Sequence, residues 1–121
     1  MAKRRISESD GMAALRAVQG GSAERLQLAT AVRFLLEELA ALAPGNSVEV
    51  RVPPFGATQC VAGPRHTRGT PPNVIETDPA TWVALATGAL GWDEAIAAAS
   101  VRASGTRANL DGLLPLLRAP R

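Results

Sequence analysis

The stretch that decides the fold is residues 78–117. It opens Asp78-Pro79-Ala80-Thr81-Trp82-Val83-Ala84-Leu85-Ala86-Thr87-Gly88-Ala89-Leu90, continues Trp92-Asp93-Glu94-Ala95-Ile96 and Val101-Arg102-Ala103-Ser104-Gly105-Thr106, and closes in a leucine-rich run from Leu110 to Leu117. An aspartate followed by a proline starts a helix well. The carboxylate accepts from amides that lack an intrahelical partner, and proline has no amide to leave unpaired. Gly88 stops that helix, and a shorter one follows through Trp92 and Ile96. Val101 and Ala103 alternate with Arg102, which predicts a short strand over 101–105. Thr106 is placed to cap a final helix carrying Leu110, Leu113, Leu114 and Leu117. The predicted order is helix, short helix, strand, helix.

Upstream, the patterning switches between helical and strand periods. Asp10 to Gln19 predicts a first helix with Met12, Leu15 and Val18 on one side, stopped by Gly20-Gly21. Ser22 is placed to cap a longer helix to about Ala43. There Leu28, Val32, Leu35, Leu39 and Leu42 recur at three- and four-residue steps, widened by Phe34 and Leu36. Val48, Val50 and Val52 alternate with Glu49 and Arg51, the period of a half-buried strand. Pro53-Pro54-Phe55-Gly56 turns the chain, residues 57–62 return as a second strand, and Asn73 to Thr77 forms a third. The expected fold is α+β: a small, largely antiparallel sheet of four or five strands, covered on one face by helices. Residues 1–6 read as a mobile basic arm and residues 7–121 as one domain.

The wording of residues 78–117 resembles the C-terminal half of the sterol carrier protein type 2 superfamily, in its bacterial form. The residues that carry the likeness are the acidic cap Asp78, Trp82, the turn Thr87-Gly88-Ala89-Leu90, and then Ala95, Val101 and Gly105 before the leucine-rich end. Ser100 departs from the glycine or lysine-rich turn more usual there, and residues 1–77 show no comparable wording. The resemblance implies a sterol-carrier-like domain of five strands, without catalytic activity, that holds a lipid, sterol or fatty-acyl chain between sheet and helices. The residues available to line such a site are Phe34, Leu35, Leu39, Val50, Trp82, Leu85, Leu113 and Leu117. The resemblance leaves a second role open. Such folds also accompany thiol-dependent isomerases as accessory domains, so a protein-interaction module with a filled core, or a homodimer, stands beside the carrier.

Composition narrows the function classes. The chain has 121 residues and a formal net charge of +2, too small to argue for nucleic acid as a partner. Arginine supplies nearly all the positive charge, with lysine only at position 3, a usage typical of high-GC bacterial genomes. Two tryptophans, two phenylalanines and no tyrosine leave alanine, leucine and valine to build most of the core. One cysteine, Cys60, excludes an internal disulfide and fits a reducing compartment. No segment reaches the ~20 apolar residues that span a bilayer, and no signal sequence is recognisable, so a cytoplasmic location is expected.

Candidate chemistry is sparse. The loop Gly63-Pro64-Arg65-His66-Thr67-Arg68-Gly69-Thr70 is the densest polar cluster. Guanidinium forks suit carboxylate or phosphate, so Arg65, His66 and Arg68, with Arg102, are the candidates for an anion site. One histidine and one cysteine do not make a structural zinc site, and no phosphate-binding loop is present, so neither a metal nor a cofactor is expected. Cys60 sits in a strand-like segment, where a small buried thiol is the commoner outcome than a nucleophile. No nucleophile–base pair or carboxylate pair emerges from the spacing.

Overall fold

The structure is a computed structural model and describes residues 5–63 and 73–117. It contains α1 (Glu8–Gln19), α2 (Arg25–Leu42), β1 (Val48–Val52), β2 (Gly56–Cys60), β3 (Asn73–Thr77), α3 (Pro79–Thr87), α4 (Trp92–Ala97) and β4 (Val101–Ser104). The first helix starts at Ser7, whose hydroxyl accepts from the Asp10 amide at 3.1 Å. The second begins at Arg25, later than the sequence suggests. Ser22 Oγ accepts from the Glu24 amide and donates to Gln27, so it builds a turn ahead of the helix and does not cap it. Asp78 caps α3 twice, taking the Thr81 amide at 2.9 Å on one oxygen and the Thr81 hydroxyl at 2.8 Å on the other. Gly88, at φ 83°, ends α3 in the left-handed conformation that glycine adopts without steric cost.

The described strands form one sheet in the order β2-β1-β3-β4. The hairpin pair β1–β2 and the pair β3–β4 are antiparallel, but β1 and β3 run parallel in the centre, with Val50 opposite Ile75. The expectation of a largely antiparallel sheet is therefore corrected to a mixed one. Period-two patterning places residues on faces but carries no strand direction; β2 brings the chain back to the end where β1 began, with Cys60 opposite Val48, and β3 sets out from that same end, with Asn73 opposite Val48. The four described strands do not include the fifth that the resemblance implies, and residues 64–72 lie outside the described residues.

One face of the sheet presents Val48, Val50, Val52, Ile75 and Thr77, all buried, while Glu49, Arg51, Val74 and Glu76 face the other way at intermediate exposure. Helix α2 lies at the centre of the molecule, against α1, β2 and α3. It is therefore buried over more than one stripe: Ala29, Ala31, Phe34 and Leu36 join Val32, Leu35 and Leu39 inside. Leu42, expected in that stripe, is the last residue of α2 and is exposed. Gly11 makes the α1–α2 approach possible, since a Cβ on it would stand 2.2 Å from the Phe34 ring.

The expected terminal helix does not form within the described residues. After Leu110 the chain runs through turns to Leu117. Gly112 adopts φ 88° and Pro115 has no amide, so the leucines at helical spacing have no helical backbone to ride on. The segment instead lies as a strap across the end of α3. The amides of Leu116 and Leu117 both donate to the Ala86 carbonyl, at 2.9 and 3.1 Å.

At the other terminus, part of the stretch read as a basic arm is within the described residues. The amides of Arg5 and Ile6 donate to the Glu37 carboxylate on α2, and Ile6 packs against the core.

Candidate functional site

The eight apolar residues singled out in the sequence come together in one cluster. Phe34, Leu35 and Leu39 reach it from α2, Val50 from β1, and Trp82 and Leu85 from α3, all six fully buried. The spacing of each element dictates this. Trp82 and Leu85 are three residues apart on α3, and Leu35 and Leu39 are four apart on α2, so each pair shares a helix face. Leu113 and Leu117 lie on the strap, half-buried and packed against the same cluster.

Trp82 is the hub. Its indole N–H, 0 % exposed, donates to the Val32 carbonyl at 3.3 Å, which ties α3 to the middle of α2. The described buried side-chain nitrogen and oxygen atoms all have a partner. The interior between sheet and helices is thus apolar and hydrogen-bond-satisfied, and its cover on the α3 side is the strap from Leu113 to Leu117.

The anion candidates do not join this cluster. Arg65, His66 and Arg68 lie outside the described residues. Arg102 is on the edge strand β4, in register with Glu76, and so belongs to the sheet face turned away from Trp82. It borders an open cavity of about 290 Å³ at the carboxyl ends of β1 and β3, beside Pro53, Glu76 and Asp78. The Asp78 carboxylate there is already engaged with Thr81. On the same sheet face Arg51 is paired with Glu49 at 2.9 Å, and that hydrogen bond, then the charge of Glu49, hold its guanidinium above its ordinary pKa.

Cys60 ends β2 with its thiol fully buried, and burial raises its pKa to about 11. A thiol held protonated in apolar surroundings is a poor nucleophile. Among the described residues no group of three histidine, cysteine or carboxylate side chains is arranged to hold a metal ion. No described helix is long and apolar enough to cross a membrane.

Sequence reasoning missed a second cluster. Arg25 and Arg33, outside the apolar stripe of α2, converge on Phe55 of the β1–β2 turn. Their spacing of two helical turns was visible, but their meeting with Phe55 depends on how the hairpin docks on α2.

Layer order, the apolar interior and its covering strap define a small two-layer α+β domain built around a hydrophobic centre. Residues 24–116, about three quarters of the chain, match the family profile described as "Bacterial SCP ortholog", SCP standing for sterol carrier protein, and the chain belongs to that family. No curated protein matches the chain. The match reaches upstream to Glu24, so α2 and the hairpin are as much part of the family domain as residues 78–117.

Proposed function

We propose that this protein is a non-catalytic carrier that holds a lipid or fatty-acyl chain between its sheet and helices, next to Trp82 and Leu85. The observation that carries the reading is the strap. Its leucines cover α3, yet its described backbone bonds to α3 are the two donated to the Ala86 carbonyl. A segment held this way opens at lower cost than a helix locked by its own ladder. An acyl tail entering beneath it would gain about 0.8 kcal/mol for each CH₂ buried. Family membership supports the same reading. The apolar surroundings suit a ligand fixed by few polar contacts.

Tryptophan fluorescence tests it. With Trp92 replaced by Phe, Trp82 is the only indole, and palmitate or a palmitoyl thioester should shift or quench its emission at saturable, stoichiometric concentration. An emission spectrum unmoved by long-chain ligands would refute carriage at this site.

One observation favours a second reading. Trp82 is fully buried and already bonded to Val32 O, with Phe34, Leu35 and Leu39 in the same cluster, as in a domain whose interior is filled by its own side chains. A domain of that kind acts as an interaction module, and unchanged Trp82 emission together with a stable protein complex is the result it predicts.

A further inference from the structure

We infer that the crevice at the carboxyl ends of β1 and β3 is a binding site for a free amino acid, one with a cationic side chain before a neutral one. β1 and β3 are parallel neighbours at the centre of the sheet. The chain leaves β1 towards one edge, by the turn to β2, and leaves β3 towards the other, by way of α3 and α4 to β4. Connections that diverge beyond two parallel strands leave a crevice between them, the place where open α/β sheets take ligands. Here the crevice is the open cavity of about 290 Å³, walled by Pro53, Glu76, Asp78, Ala99, Ser100 and Arg102. One wall is pinned on both sides. Thr77 Oγ1 donates to the Ser100 carbonyl at 2.8 Å, and the Ser100 amide donates to the Ala95 carbonyl at 2.9 Å.

Charge selects the ligand. Glu76 stands in register between Arg51 on β1 and Arg102 on β4, cross-strand places where opposite charges ordinarily pair. Arg51 is bonded to Glu49 instead, and among the described residues neither Glu76 nor Arg102 has an ion-pair partner. A carboxylate and a guanidinium thus border one cavity uncommitted. That arrangement complements a zwitterion: the Arg102 fork takes its carboxylate and Glu76 takes its ammonium. Asp78, capping α3, adds a second negative charge to the lining. Two carboxylates against one guanidinium repel a phosphate dianion and favour a ligand with one further positive charge. Pro53 and Ala99 offer apolar surface to its methylene chain. The site lies on the sheet face turned away from Trp82, so it does not rest on carriage in the interior.

The test is an NMR titration of the ¹⁵N-labelled full chain with L-arginine. Agmatine, which lacks the carboxylate, and Nα-acetyl-L-arginine, which lacks the α-ammonium, are titrated beside it. L-arginine should shift the amides around Glu76 and Ser100–Arg102 saturably, at one ligand per chain. Each analogue should bind about tenfold more weakly, the share of one charge-assisted hydrogen bond. L-norleucine, with no side-chain charge, should also bind more weakly than L-arginine. Arg102→Gln should weaken L-arginine about tenfold and leave agmatine unchanged; Glu76→Gln should weaken L-arginine about tenfold and leave the acetylated analogue unchanged. Both side chains reach solvent, and the amide spectrum reports at once that each variant is folded. Shifts that do not saturate, shifts centred elsewhere, equal binding of all four ligands, or binding unchanged in both variants would overturn the proposal. So would inorganic phosphate binding more tightly than L-arginine, which would make Arg102 a simple anion site.

Discussion

Replacing Gly11 by Ala sets two measurable terms against each other. In an exposed helix the change is stabilising by about 1 kcal/mol, because alanine loses less backbone freedom on folding. Here the added Cβ would stand 2.2 Å from two atoms of the Phe34 ring and 2.7 Å from a third. These atoms lie at the base of the ring, and Phe34 is buried at 1 % exposure, so the ring cannot swing aside into solvent. Either α1 lifts from α2 or Phe34 leaves its rotamer, and overpacking of this kind costs roughly 1–3 kcal/mol, occasionally more. The two terms sum to a net loss of up to about 2 kcal/mol, read as a lower urea midpoint with unchanged slope. Phe34→Leu in the Gly11→Ala background should recover part of the loss, giving a favourable coupling in a double-mutant cycle. A midpoint that rises for Gly11→Ala alone would show that α1 is not seated on Phe34 and would refute the packing argument.

Two further predictions concern the backbone after α4 and the thiol at the end of β2. Ala99 follows α4 at φ 57°, with the Ala99 and Ser100 amides donating to the carbonyls of Ile96 and Ala95, so Ala99→Gly should raise stability by about 0.5–1 kcal/mol in thermal denaturation. Cys60 is raised by burial from 9.0 to about 11, so the unfolded chain releases the thiol proton first as pH rises. The stabilisation from a protonated folded thiol is complete below pH 9.0 and is lost towards about 11, a fall on the order of 2–3 kcal/mol that Cys60→Ala should not show. Denaturation at matched pH values checks the difference.

What the sequence made legible follows from where local chemistry decides the outcome. The bounds of β1 could be read from valine alternation, β3 falls at Asn73–Thr77 as expected, and Asp78 caps α3 as an aspartate before proline should. The parallel pairing of β1 with β3 could not be read, because direction is set by the route of a connection and not by alternation. The strap was mistaken for a helix because Leu110, Leu113, Leu114 and Leu117 keep helical spacing. Gly112 and Pro115, which weaken any helix there, outweigh it. The burial of Phe34, Leu35, Leu39, Trp82 and Leu85 was legible because helix periodicity marks it, and that of Val50 because strand alternation does. Arg25 and Arg33 were not recognised as a cluster, since their common partner Phe55 lies on the hairpin turn and becomes a neighbour only when the hairpin folds onto α2.

Carriage of a hydrophobic ligand is the central claim, and native mass spectrometry of gently purified protein, before and after delipidation and incubation with palmitate or a palmitoyl thioester, tests it most directly. The account predicts a mass increment of one acyl ligand per chain that is removed by delipidation, restored by incubation, and weakened when Leu113→Asp and Leu117→Asp turn the strap away from α3. A chain that carries the bare polypeptide mass under every condition, while remaining folded, would contradict it.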